Sequence, residues 1–324
     1  IKCNIIPVDE YLPTMIEKLN VAGYKDNVVE PVSRQDGGTD VYANSRYDYF
    51  LDFDTYAVTV ATDKTKALRL FESAKAKDST IINLGKNINW EGGVMEAGKG
   101  GGQKINLVKE FIQDKKDSDV LVFLDGYDVF LSESIEEITY RFMEFSERAI
   151  FSSERFCWPE ESLAPQLIAK NNTQNQNTPY QYLNSGTYVA RIGELKKIFE
   201  EHIPNNGDDQ LYVQKQHLSN RYSIACDVEG YIFTCYEPQI QVRNGQLFNP
   251  VTGCYTCAYH GNGGEKEKQW MNELYQTFYA KSSITYIPTK KYDILSDDIL
   301  LIDFMSKDMC ENMISLAENK QFKI

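Results

Sequence analysis

Two carboxylates, Asp125 and Asp128, stand immediately after the apolar run Val120-Leu121-Val122-Phe123-Leu124. An uninterrupted run of this kind reads as a strand buried on both faces in the middle of a parallel sheet. The acids then fall just past its carboxyl end, the edge where open α/β sheets place ligands. Acids left unpaired there cost free energy until a cation joins them. Hard oxygen donors suit Mg²⁺ or Mn²⁺, which bridge carboxylates to nucleotide phosphates. Asp125-Gly126-Tyr127-Asp128 therefore reads as a metal and diphosphate site. The plainer reading is a surface turn in which Asp125 caps a following helix.

Three further groups of residues carry chemistry. Gly100-Gly101-Gly102-Gln103-Lys104 opens a helix with Ile105, Val108, Phe111 and Ile112 on one face. Its glycines allow close backbone approach, the helix N-terminus favours an anion, and Lys104 is placed to meet a phosphate. Asp208-Asp209-Gln210 starts another helix, where acids are also ordinary dipole partners. His260-Gly261-Asn262-Gly263-Gly264 leaves the backbone beside the histidine open to a substrate. Cys254 and Cys257 followed by His260 invite a zinc reading, but a structural zinc needs a fourth ligand and none is visible.

The elements that must position these groups follow from periodicity. Ala57 to Ala61 reads as a strand, Thr65 to Lys75 as a helix with Leu68, Leu70, Phe71 and Ala74 on one side, and Thr80 to Leu84 as a second strand. That is one β-α-β unit of a parallel sheet. Ser134-Ile135-Glu136-Glu137 is a capping box that launches a helix. Ala149 to Ser152 reads as a strand, and residues 171 to 177 as a long polar loop. Residues 1–54 form an arm or extension broken by prolines. Residues 55–280 form the main domain, and 281–324 a C-terminal extension with a helix over Ser306 to Glu318.

With 324 residues and 42% hydrophobic content the chain can bury a large core. A net charge of −13 argues against nucleic acid as a partner and would attract a basic acceptor. Seven scattered cysteines do not form a disulfide framework. No apolar run is long enough to span a bilayer, and the first residues lack a basic region followed by an apolar signal core.

Assembled in order, these motifs resemble the glycosyltransferase domain of the multifunctional collagen lysyl hydroxylases. The likeness takes in Val60-Ala61-Thr62, Trp90-Glu91-Gly92-Gly93, Gly100 to Lys104, Asp125 and Asp128, Phe151-Ser152, and Phe156-Cys157-Trp158-Pro159-Glu160. It continues through Leu183-Asn184-Ser185-Gly186, Asp208-Asp209-Gln210-Leu211 and His260-Gly261-Asn262-Gly263. The resemblance implies a GT-A fold, Rossmann-like, with a mostly parallel sheet and helices on both faces. It also implies Mn²⁺, UDP-glucose as donor and hydroxylysine or galactosyl-hydroxylysine of a collagen-like strand as acceptor, with retention at C1. Carried over to this chain, Asp125, Asp128 and His260 are the expected metal ligands. Tyr127 is the expected uracil partner and Thr62 a uridine contact. Trp90, Lys104, Gly261 and Lys266 neighbour the diphosphate, and Met95 lies at the donor pocket. Trp158, Asn184, Asp208 and Asp209 surround the transferred sugar and the acceptor.

The chain also departs from the family. Its acidic run before Gln210 is shorter, and Thr187 stands where the family has a second glycine. The stretch from residue 290 resembles the opening of a 2-oxoglutarate oxygenase domain without its iron ligands, so hydroxylation is not expected. A galactosyltransferase and a non-catalytic sugar-nucleotide-binding domain are the alternatives, and a homodimer is compatible with either. A nucleotidyltransferase would want a basic glycine-rich loop at the first strand, which Thr62-Asp63-Lys64-Thr65 does not supply. Family members with signal peptides work in the endoplasmic reticulum; with none visible here, the cytoplasm is the other expectation.

Overall fold

The computed structural model describes residues 53–93, 100–171 and 178–282, together with two isolated strand pairs outside them. These pairs are Val32–Ser33 with Thr39–Asp40, and Tyr292–Ser296 with Ile299–Ile302. The chain divides into two compact units, Ile1–Tyr275 and Gln276–Ile324. The central sheet and the candidate site belong to the first. The helix expected over Ser306 to Glu318 lies outside the described residues, as does most of the polar loop.

The sheet is built from β1 (Thr55–Thr59), β2 (Ile82–Asn83), β3 (Val120–Leu124), β5 (Ala149–Glu154), β6 (Tyr182–Arg191) and β7 (Ile224–Asp227). Its order is β2-β1-β3-β6-β5-β7. Only β6 runs against its neighbours; the remaining pairings are parallel. Each residue of β3 is buried, and the pleat sends alternate side chains to opposite faces. Leu121 and Phe123 enter one core with Ile105 and Val108 of α2 (Gly102–Phe111) and Leu195 of α5 (Ile192–Ile198). Val120, Val122 and Leu124 enter the other with Leu70 of α1 (Leu68–Ala76) and Ile138 of α3 (Ile135–Phe142). Helices therefore cover both faces, as the apolar run requires. Phe123 stacks on Tyr188 of β6 at 4.9 Å, which fixes the central pair.

Local chemistry explains where the elements differ from their expected bounds. The first strand leaves the ladder after Thr59 because Asn83 takes over the next backbone groups. Its Oδ1 accepts from the Ala61 N–H at 3.0 Å, and its Nδ2 donates to the Ala61 carbonyl at 2.8 Å. Helix α1 begins at Leu68 because the Asp63 carboxylate holds the preceding turn, accepting from the Thr65 N–H at 2.8 Å. Half of the capping box forms: Ser134 accepts from the Glu137 N–H at 3.1 Å at the start of α3, while the Glu137 carboxylate pairs with Arg141 instead.

A second sheet decides the site. It contains β4 (Val129–Leu131), β8 (Phe233–Cys235) and β12 (Ala258–His260), in the order β8-β12-β4. A three-stranded meander supplies β9 (Gln241–Arg243), β10 (Gln246–Asn249) and β11 (Cys254–Thr256). Helices α4 (Ala164–Asn171), α6 (Asp209–Leu218) and α7 (Glu265–Ser282) complete the described elements. Among the described residues no helix is long and apolar enough to cross a membrane.

On α6, His217 is 2% exposed, with Nε2 3.1 Å from Oδ1 of Asn171. Burial, aided by the nearby Lys170 charge, pushes its pKa down to about 3. The folded value lies below the unfolded value of about 6.5. Its contribution to stability is therefore present above pH ~6.5 and is lost as pH falls toward 3. The loss is at most ~1.4 kcal/mol per pH unit. His217→Asn should make the unfolding free energy less steep over that window than in the parent chain. Parallel curves in urea melts at stepped pH would contradict this.

Candidate active site

The site forms where β3 leaves the main sheet and the chain crosses to β4. The residues of this crossing are Asp125, Gly126, Tyr127 and Asp128, so Asp125 precedes a strand and caps no helix. The Asp125 N–H donates to the Gly186 carbonyl at 2.8 Å. Antiparallel pairing of β12 with β4 sets His260 opposite Val129, and the Gly261 N–H donates to the Asp128 carbonyl at 2.7 Å. Register alone thus brings a distant histidine beside the two acids. His260 Nε2 lies 3.4 Å from Asp128 Oδ1 and 3.9 Å from Asp125 Oδ2. One ligand atom from each of the three residues falls within 4.8 Å of the others, the only such cluster of metal-binding side chains among the described residues.

Lys104, 6% exposed, reaches this cluster from the first turn of α2. Its Nζ lies 2.9 Å from Asp125 Oδ1 and 2.7 Å from Asp209 Oδ2. Burial opposes its charge, but the two carboxylates outweigh that and raise its pKa. The glycines before it differ from the expected open anion cradle. The Gly102 N–H donates to the Gly207 carbonyl and the Gln103 N–H to the Asn205 carbonyl, both at 2.8 Å. The first amides of α2 are thereby satisfied by the loop before α6. Gly101, at φ +94°, is needed because a Cβ there would meet the Asp209 carboxylate at 2.6 Å. The close approach is to Asp209 of the chain itself.

Burial raises the pKa of Asp125, with Lys104 opposing and Asp128 adding to the rise. Burial acts the same way on Asp128, but His260 outweighs it and the pKa falls. For His260, burial opposes charge, yet Asp128 prevails and the imidazole pKa rises well above its usual value. Its Nδ1 faces Cys235 Sγ at 4.0 Å. Cys254 and Cys257 are free thiols. With His260 turned to the carboxylates, they share no zinc site with it.

A fourth acid completes the centre, and sequence reasoning missed it. Glu154, the last residue of β5, is buried. Its Oε1 accepts from Asn184 Nδ2 and Gln210 Nε2, both at 2.9 Å, and its Oε2 accepts from Asn262 Nδ2 at 2.7 Å. Burial raises its pKa against these three amides. An acid at the carboxyl end of a buried strand was its sequence signal, the same one that marks Asp125. Asp125, Asp128, Asp209 and Glu154 thus face Lys104 and His260, an excess of negative charge that a divalent cation would balance.

The remaining candidates fall at two places. Tyr127 and Thr62 come together: the Tyr127 hydroxyl accepts from the Thr62 and Asp63 N–H groups, each at 3.0 Å, and its ring is 36% exposed. Trp158 is 47% exposed. Its carbonyl accepts from Gln210 at 2.8 Å and Gln214 at 2.9 Å, so α6 pins the loop by its backbone. Asn184 and Asp209 are buried in the network, whereas Asp208 caps α6 by accepting from the Leu211 N–H at 2.7 Å. Burial raises the Asp208 pKa against that hydrogen bond. Trp90 is half-buried and donates to the Gly93 carbonyl at 2.7 Å. Lys266 is exposed in the first turn of α7, and Met95 lies outside the described residues.

The donor set fits a hard divalent ion, and the floor beneath it is made by the missing side chain of Gly186. A Cβ there would stand 2.2 Å from His260 Cε1 and 2.8 Å from Asp125 Oδ2. Gly186→Ala should therefore weaken Mn²⁺ binding at least tenfold in a chain that still folds. Titration calorimetry checks this, and affinity equal to that of the parent would refute it.

The PLOD GT domain family matches residues 52–286. A multifunctional procollagen lysine hydroxylase and glycosyltransferase of Caenorhabditis elegans is 38% identical over 227 residues, 64% of this chain and 30% of that protein. A procollagen-lysine,2-oxoglutarate 5-dioxygenase of Drosophila melanogaster is 31% identical over 241 residues, 68% of this chain and 32% of that protein. An uncharacterized protein of Acanthamoeba polyphaga mimivirus, R699, is 28% identical over 243 residues, 73% of this chain and 52% of that protein. The chain spans about half or less of the length of these relatives. Because the match runs through β3, the carboxylate–histidine cluster and the network around Glu154, the chain belongs to the PLOD GT domain family.

Proposed function

We propose that the chain is a metal-dependent glycosyltransferase that moves glucose from UDP-glucose to hydroxylysine or galactosyl-hydroxylysine of a collagen-like strand, with retention at C1. The observation that carries this reading is the convergence of Asp125, Asp128 and His260 within 4.8 Å, with Lys104 beside them. Family membership and the glycosyltransferase named in the nematode relative support it.

Breaking the bond from C1 to a diphosphate puts the largest demand on stabilising negative charge. Mn²⁺ held by Asp125, Asp128 and His260 would supply Lewis-acid charge to the departing UDP. The chain's own residues do the rest. Tyr127 offers its exposed ring to uracil, with Thr62 at its hydroxyl. Lys104 holds Asp125 in place through a double ion pair. Glu154 orients Asn184, Gln210 and Asn262 around the sugar, and the positioning of reacting groups lowers the barrier further. Trp158 and Asp208 border the acceptor.

UDP release is the test, with UDP-glucose and UDP-galactose, with and without Mn²⁺ and a hydroxylysine-containing collagen peptide. Release is expected with UDP-glucose when metal and peptide are both present. Metal-independent release, or none with either donor, would overturn the proposal. Within it, Trp158→Ala should raise KM for the peptide about tenfold and leave UDP affinity unchanged, because the carbonyl that accepts from Gln210 and Gln214 is kept in the variant. Equal losses in both would move Trp158 off the acceptor side.

A further inference from the structure

Arg69 of α1 stands behind the ligand turn. Its Nη2 donates to the Tyr127 carbonyl at 2.7 Å, and its Nη1 donates to Oδ1 of Asn272 on α7. The Tyr127 carbonyl belongs to the planar peptide that enters Asp128, and the Asp128 carbonyl, bonded to the Gly261 N–H, belongs to the peptide that leaves it. With both planes fixed, the direction of the Asp128 Cα–Cβ bond is fixed as well. Arg69 holds the first plane, and by gripping α7 it ties that plane to the helix that follows the His260-Gly261 loop.

Two observations separate this from ordinary helix packing. The guanidinium lies within electrostatic reach of Asp128, whose charge works against the lowering of its pKa by burial. In addition, Arg69 Nε is buried with no hydrogen-bond partner among the described residues. Such a group is costly, and a cross-link with no other role could avoid it.

We propose that Arg69 is a positioning residue for the metal site, holding the Tyr127–Asp128 peptide so that Asp128 meets the ion together with His260. The inference rests on the metal-site reading above. Its chemistry is specific to arginine: a lysine at 69 keeps the charge but cannot fork between the Tyr127 carbonyl and Asn272.

The test is Mn²⁺ titration calorimetry without nucleotide on the full chain, beside thermal unfolding, for the parent, Arg69→Met and Arg69→Lys. Arg69→Met should weaken Mn²⁺ at least tenfold and Arg69→Lys by an intermediate factor, with both unfolding cooperatively. At saturating Mn²⁺, UDP affinity should return to within about threefold of the parent, because Arg69 bonds the Tyr127 carbonyl whereas the Tyr127 hydroxyl is held by the Thr62 and Asp63 N–H groups. Parent-like Mn²⁺ affinity in Arg69→Met overturns the inference, and if that variant does not fold, parent-like affinity in Arg69→Lys does so. A lower melting temperature with unchanged Mn²⁺ affinity also overturns it, by showing a structural role alone. A parent chain that binds no Mn²⁺ would instead defeat the metal-site reading, and this inference with it.

Discussion

Asp128→Ala should abolish transfer and Mn²⁺-dependent UDP binding while the chain keeps its fold. The side chain sits at the rim of the centre, so its removal opens no cavity in either core. What β4 and β12 require of this residue is its backbone: the carbonyl that accepts from Gly261 remains. A divalent ion at this cluster would lose one of its two proposed carboxylate ligands, and His260 loses the partner that raises its pKa. Removing one charged member of such a cluster costs about 3–5 kcal/mol, or about two to four decades in Mn²⁺ affinity. Calorimetry with Mn²⁺ and circular dichroism would check the two halves separately. Transfer retained at saturating Mn²⁺ would refute the assignment.

How much of this site could be read beforehand depended on how local each signal was. The β3 run and the acids at its end lie in one short segment, so strand, burial and chemistry were all legible there. The Ser134 cap and the helix start at Asp208 are equally local, and both formed. His260 was named as a ligand only through the family resemblance. What places it is the pairing of two three-residue strands, β4 and β12, neither long enough to show a period. Glu154 carries the same signal as Asp125, but the partners that draw it into the site, Asn184, Gln210 and Asn262, are all distant in sequence. Lys104 was expected to face a phosphate, and the glycines before it to form an open cradle. The loop from Ile203 to Asp209 closes the cradle by taking the first amides of α2, and nothing local places that loop against α2. Nothing local marks Arg69, because the helical period shows the face it lies on and not the turn behind it.

Lys104→Met should destabilise the chain by about 3–5 kcal/mol at pH 8, the cost of leaving buried acids without their cation. The ammonium stands between Asp125 and Asp209, where its own side chain is 8% exposed and theirs are 20% and 9%. Methionine fills much the same volume, so packing contributes little to the loss. Burial already raises the folded-state pKa of Asp125 and Lys104 opposes that rise, so without Lys104 it climbs further above the unfolded value of about 3.9. A raised folded pKa gives stability that is present below ~3.9 and lost as pH rises through the folded value. The deficit against the parent should therefore be smallest near pH 5 and widest at pH 8. Two additions should narrow it at pH 8. Mn²⁺ would restore a cation to Asp125, and Asp209→Asn on top of Lys104→Met would remove one of the two repelling charges. Urea melts of the parent, the single and the double variant at both pH values would check this. A pH-independent deficit would show that Lys104 serves packing and not charge, and no deficit at all would remove the ion pair from the centre of the site.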